Sequence, residues 1–163
     1  MNQLNRIYVH FGGLEEVYIH ELNESTAVET VILGLVGTGK LGAISASEIF
    51  LFEEDSDEEL LGTSILSPEL RGKRFHAHRC HEIKVKFIYV DDRRDATFRS
   101  GATIGKLLNW AKEHFPIDKS GRYALRLDSN GDPLPHAAHI GSFVKGPPCE
   151  LTLYFTPIVR IQG

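Results

Sequence analysis

The chain has 163 residues, 42% of them hydrophobic and 25% charged, with a formal net charge of −4. That is the composition of a globular protein, of a length that suits one ordinary domain or two small ones. It excludes a helical membrane protein, because no apolar run approaches the roughly 20 residues of a span, and a disulfide framework, which Cys80 and Cys149 alone are too few to build.

In chain order, Met1-Asn2-Gln3-Leu4-Asn5-Arg6 lacks the apolar core of a secretory signal. The expected compartment is therefore the cytosol, with both thiols reduced. Ile7, Val9 and Phe11 alternate as in a half-buried strand, and Gly12-Gly13 supplies a turn into a second strand over 14–21. Thr26 and Glu29 have capping-box spacing ahead of a helix whose stripe is Val28, Val31, Ile32 and Leu35. The helix should end near Gly37. Gly34-Leu35-Val36-Gly37-Thr38-Gly39-Lys40 fits part of a phosphate-binding loop, but Leu41 replaces the hydroxyl residue that would hold Mg²⁺. A glycine-rich helix end accounts for it better. Ile49 and Leu51 mark the next strand, and the acidic run Glu53–Glu59 reads as a solvated loop. Phe75 and Ala77 face inward on a further strand, with His76, His78 and Cys80 on the opposite face. Those three, with His81, are zinc-type ligands. Same-face side chains on one strand stand about 7 Å apart and splay, so the expectation is a surface histidine run and no metal site.

The pattern then starts again. Ile83, Val85 and Phe87 repeat Ile7, Val9 and Phe11 at an offset of 76. A strand over 83–90, a charged turn Asp91-Asp92-Arg93-Arg94 and a strand over 96–99 lead to Thr103, a plausible N-cap. Ile104, Leu107, Leu108 and Ala111 repeat the first helical stripe at the same offset, and Pro116 stops the helix. Leu125 and Leu127 match Ile49 and Leu51; Leu151 and Leu153 match Phe75 and Ala77. The chain is thus a duplication, with expected domains 1–81 and 82–163 and no flexible linker between them. Each copy reads as ββ-α-β-(turn)-β, an α+β fold with a helix cradled by a mixed sheet. Residues 1–81 carry 6 Lys/Arg and 13 Asp/Glu, net −7; residues 82–163 carry 12 and 9, net +3. Separate partner faces are one reading of this split and ordinary solvated surface is the other. Neither half has the basic, aromatic-interleaved clustering of a nucleic-acid binder.

The second copy resembles ubiquitin. Tyr123-Ala124-Leu125-Arg126-Leu127-Asp128-Ser129-Asn130-Gly131-Asp132-Pro133-Leu134 looks like that family's third strand, tight turn and short fourth strand. His139-Ile140 looks like the step before its last turn, and Glu150-Leu151-Thr152-Leu153 like its closing strand. Two such units in tandem resemble the interferon-stimulated two-domain modifiers of vertebrates and their bacterial antiphage counterparts, the bacterial type being the preferred match. The resemblance implies two tandem ubiquitin-like β-grasp domains and a bacterial, cytoplasmic modifier that is not an enzyme and carries no cofactor. It also implies as partners an activating enzyme, a conjugating enzyme, a deubiquitinase-like protease and the target proteins, with no nucleic acid or membrane.

On the same resemblance, residues 156–163 form the conjugation tail, Gly163 supplies the carboxylate that is joined to targets, and Arg160, Ile161 and Gln162 contact the partner enzymes. The tail departs from the family's usual Gly-Gly ending in Gln162-Gly163, and Pro157 interrupts it. Ala124 and Arg126 are expected on the exposed face of the third strand, where ubiquitin is apolar. That implies dedicated partners in place of general ubiquitin receptors. Trp110, beside His114, is a further candidate contact, but a flanking aromatic more often packs on the edge of its own core or on the neighbouring domain. The alternative function is a tandem scaffold that docks partners and is never covalently attached.

Overall fold

Alternating apolar residues in each half of the chain build one sheet per half, and one helix packs on each. The computed structural model describes residues 6–11, 17–23, 26–42, 44–66, 68–70 and 72–159. The first sheet comprises β1 (Arg6–Phe11), β2 (Tyr18–Glu21), β3 (Phe50–Glu53), β4 (Glu59–Leu60) and β5 (Arg74–His78), in the order β2-β1-β5-β3-β4. The second comprises β6 (Glu82–Tyr89), β7 (Asp92–Arg99), β8 (Tyr123–Arg126) and β9 (Glu150–Pro157), in the order β7-β6-β9-β8. In each sheet the first and last strands of the unit run parallel at its centre: Val9 opposes Phe75, and Val85 opposes Leu151, one 76-residue step later. Parallel neighbours require a crossover, which the helices α1 (Val28–Gly37) and α2 (Ile104–His114) supply.

The two helical stripes are buried as the spacing predicts: Val28, Val31, Ile32 and Leu35 in α1, and Ile104, Leu107, Leu108 and Ala111 in α2. These residues meet Ile7, Val9, Leu51, Phe75 and Ala77 in one core, and Ile83, Val85, Phe87, Leu125, Leu153 and Phe155 in the other. Thr103 caps α2, its hydroxyl accepting from the Lys106 N–H at 3.2 Å. Thr26 does not cap α1. Its hydroxyl accepts from the Asn23 N–H at 2.8 Å in a preceding turn, and Ala27 occupies the N-cap position. Residues Gly34–Gly37 lie in α1, so the phosphate-loop-like stretch is a helix end.

Three other expectations are corrected. The charged turn after β6 is a two-residue hairpin, Val90-Asp91, and Asp92, Arg93 and Arg94 belong to β7. Leu127 lies just beyond β8 and is 45% exposed, unlike its repeat counterpart Leu51, which is 1% exposed. Cys80 and Cys149 are joined in a disulfide and are not two reduced thiols. The parallel register explains the pairing. Lys84 N–H donates to the Cys149 carbonyl at 2.9 Å, which sets Cys149 beside the segment that enters β6 and leaves the two Cα atoms 5.9 Å apart, within bridging range.

The histidines of β5 are likewise not a solvated row. His78 is 2% exposed and His76 is half-buried, because the outer face of the first sheet packs against the second unit. The opposing surface is made by two stretches held side by side: Ile140 N–H donates to the Ala102 carbonyl at 2.8 Å, and Gly141 N–H to the Ser100 carbonyl at 2.9 Å. Gly101 meets Phe52 there and Gly141 meets His78; a Cβ at either would lie 2.5 Å from the ring it faces. The acidic run closes the same seam and is not simply solvated. Glu54 offers its carbonyl to His139, Asp57 pairs with Lys106, and Glu59 lies 2.9 Å from His81.

Candidate functional site

The end of β9 is where the chain leaves the second sheet. Glu150–Pro157 sends Leu151, Leu153 and Phe155 into the core and lies between β6 and β8. Tyr123 opposes Pro157 and Ala124 opposes Thr156 at the last rungs of the ladder. Proline is tolerated at such a position because the ladder is ending and its missing N–H costs no bond. One further hydrogen bond, from Ile158 N–H to the Arg122 carbonyl at 2.8 Å, holds the chain beside β8. Beyond it the backbone turns to solvent: Ile158 is 41% exposed and Val159 77%. Arg160, Ile161, Gln162 and Gly163 lie outside the described residues.

The exit point stands on a rigid aromatic base. The Tyr123 ring stacks on Phe155 at 4.8 Å, Phe155 on Phe115 at 5.6 Å, and Tyr89 leans on all three. This anchors β9 up to the residue where the tail starts. The geometry offers an extended chain leaving a fixed platform.

The surface beside the exit differs from expectation. Ala124 is 2% exposed and not a surface residue. Its methyl is short, and the Arg126 side chain lies along the same face, its Nε donating to Thr156 Oγ1 at 2.8 Å. Arg126 also donates from Nη1 to the Gly131 carbonyl, which ties it to the turn after β8. The half-buried guanidinium therefore reaches Thr156, the residue opposite Ala124 at the ladder's end, and Leu127 joins Ile158 and Val159 as an exposed apolar side chain. Trp110 is half-buried in its own domain: its indole stacks on Phe87 at 4.7 Å, meets Phe98 edge-on at 5.9 Å and stacks with His114 at 4.0 Å.

A feature the sequence reading passed over lies on the outer face of the same sheet. Lys84 and Lys86 of β6 and Arg93 of β7 line a shallow depression with Asp95, Glu150 and Thr152. The hydrogen bond from Arg93, and then the two lysines, hold the Asp95 carboxyl below its ordinary range. The signal was the alternation of Lys84 and Lys86 with Ile83, Val85 and Phe87, which puts both cations on the solvent face.

The family model described as BilA ubiquitin-like domain 2 matches residues 84–158. No curated protein matches the sequence. Among solved structures, the ubiquitin of Caldiarchaeum subterraneum is similar at 13% identity and a TM-score of 0.39, over 50% of this chain and 99% of that one. The N-terminal ubiquitin-like domain of the 4931431F19Rik protein is similar at 19% identity and a TM-score of 0.35, over 47% of this chain and 75% of that one. Among the described residues, no helix is long and apolar enough to cross a membrane.

Proposed function

We propose, from the premise that residues 84–158 belong to the BilA ubiquitin-like domain 2 family in a chain with two tandem β-grasp units, that this protein is a conjugatable modifier. On this reading the units divide as 1–81 and 82–163. The carboxylate of Gly163, terminal as it stands or after trimming, is adenylated by ATP on an activating enzyme with release of pyrophosphate, and an enzyme thiol then displaces AMP to form a thioester. An amine on a target protein displaces that thiol and forms the final amide bond. The chemistry belongs to those enzymes, and the modifier contributes shape. A side-chain-free residue suits a narrow catalytic channel, and Arg160 suits an acidic enzyme surface. A bacterial, cytoplasmic antiphage role extends the reading and rests on the family match.

The observation that carries it is the exit of the chain: β9 is fixed by the Tyr123–Phe155 stack, and the next residues, Ile158 and Val159, face solvent and lead toward Gly163. A scaffold that only docks partners would not need Ile158 and Val159 exposed. Incubation of the full chain with ATP and a candidate activating enzyme, followed by intact-mass analysis, separates the two. A thiol-labile adduct between chain and enzyme is expected. A chain that binds the enzyme yet never forms that adduct makes the scaffold reading the correct one.

A further inference from the structure

The seam between the two units holds three imidazoles that the modifier reading does not use. His76 and His78 come from the outer face of β5, and His139 from the segment before the last turn, 61 residues beyond His78. One nitrogen from each ring falls within a group no wider than 4.8 Å. Strand spacing alone would keep His76 and His78 apart; the second unit supplies the third ring that makes them converge.

The hydrogen bonds fix which nitrogens are free. A carbonyl can only accept, so His139 Nε2, 2.7 Å from the Glu54 carbonyl, carries a proton. His139 Nδ1 then presents a lone pair, and it lies 3.1 Å from His78 Nε2. A carboxylate also only accepts, so His76 Nε2, 3.3 Å from Glu54 Oε1, donates to it and leaves Nδ1 with a lone pair. Glu54 thus orients two of the three rings, one through its carbonyl and one through its carboxylate, as outer-shell groups do for metal-bound histidines. His78 Nδ1 is buried with no partner at all.

We propose that His76, His78 and His139 bind a divalent transition cation of the zinc class across the seam, as a clasp between the two ubiquitin-like units. Zinc–imidazole bonds of about 2.0–2.1 Å place tetrahedral ligand atoms about 3.3 Å apart, close to the His78–His139 spacing. The His76 ring, half-buried at the rim, closes the remaining gap by rotating about its side-chain bonds. Binding moves the His78 proton from Nε2 to Nδ1, a nitrogen that lacks a partner in either tautomer. A water as fourth ligand would complete a tetrahedral site.

The test uses the full chain, stripped with a chelator and titrated with Zn²⁺ in a calorimeter. Co²⁺ serves as a second probe, because its visible spectrum reports imidazole coordination. One ion per chain is expected, with a raised thermal midpoint. His76→Ala and His139→Ala should each weaken binding by more than the roughly 10–100-fold that loss of an outer-shell partner costs. His136→Ala, an exposed histidine outside the seam, should bind as the parent does. Circular dichroism on the metal-free variants verifies that they remain folded. No saturable site in the parent overturns the proposal, as does unchanged affinity in either His76→Ala or His139→Ala.

Discussion

His139 Nε2 donates to the carbonyl of Glu54, 85 residues earlier in the chain, across 2.7 Å. This single bond ties the segment before the last turn of the second unit to the acidic loop of the first. It explains why neither the histidines of β5 nor residues 53–59 behave as free surface. The seam is a packed interface, and its tolerances can be measured.

One tight tolerance is at Gly101. A Cβ there would lie 2.5 Å from Phe52 Cδ1 and 2.9 Å from the Ser56 carbonyl oxygen. Phe52 is fully buried, so its ring has nowhere to retreat. Gly101→Ala should cost about 1–3 kcal/mol, the range for overpacking, and should loosen the two units. Urea denaturation gives the first quantity, and small-angle scattering gives the second as a larger radius of gyration. A variant with the parent's midpoint and radius would mean that the units do not pack in solution as described.

Acid should open the same seam in metal-free protein. Burial first, and then the charge on neighbouring His139, lowers His76 from 6.5 to about 4, and His78 and His139 are shifted in the same direction. The unfolded chain therefore takes up protons near pH 6.5, while His76 in the folded seam resists until about pH 4. Between these values the unfolded state binds more protons, so stability falls as pH falls and is fully present above pH 7. Asp57, Asp95 and Asp118 are held below their ordinary carboxylate value and titrate beneath this window. Thermal midpoints at pH 7.5, 6 and 5 should decline stepwise in the parent and less steeply in His76→Gln; parallel curves would remove His76 from the effect.

The β6–β7 hairpin stores removable strain. Val90 sits at φ 52 in the two-residue turn, 78% exposed. Left-handed backbone costs an ordinary residue about 1–2 kcal/mol, and asparagine tolerates it better. Val90→Asn should stabilise the protein by about 1 kcal/mol in equilibrium unfolding. A loss of stability would show that the valine side chain makes a contact worth more than the strain.

Each core rests on a stripe that the sequence made readable, and Leu108 tests it. The residue is 3% exposed in the core of the second unit. Leu108→Ala should cost about 2–5 kcal/mol by leaving a cavity, and a urea midpoint equal to the parent's would contradict its burial.

These residues also show what a single sequence can reveal. Val28, Val31, Ile32 and Leu35, repeated 76 positions on, were legible because helical burial has a period of its own, and the paired β1/β5 and β6/β9 registers preserve that step. The seam was illegible because burial there is created by tertiary contact. His76 and His78 alternate with Phe75 and Ala77 as solvated polar residues would, and nothing local reveals that His139 and Gly141 will cover them. The tight hairpin was missed because Val90 contradicts the usual turn chemistry. The disulfide was missed because it depends on the register that sets Cys149 beside Cys80. At the candidate site, the direction of β9 was readable from its apolar alternation. The burial of Ala124 was not.

The last prediction concerns the terminus. If Gly163 is the residue whose carboxylate is activated, a branched side chain at that position should obstruct the enzyme's channel while leaving the folded units untouched. The described chain ends its ladder at Pro157, and Val159 is already largely solvent-exposed, so both cores are complete before residue 160. Gly163→Val should therefore abolish the enzyme adduct with stability within about 0.5 kcal/mol of the parent, as for a surface substitution. Arg160→Glu should weaken activation without changing the unfolding midpoint, because it reverses a charge offered to an acidic partner. The assay is a time course of thiol-labile adduct for the parent and both variants at equal enzyme, beside their thermal melts. Adduct formed by the valine variant at the parent's rate would remove Gly163 from the reaction, and with it the reason to prefer a modifier over a docking scaffold.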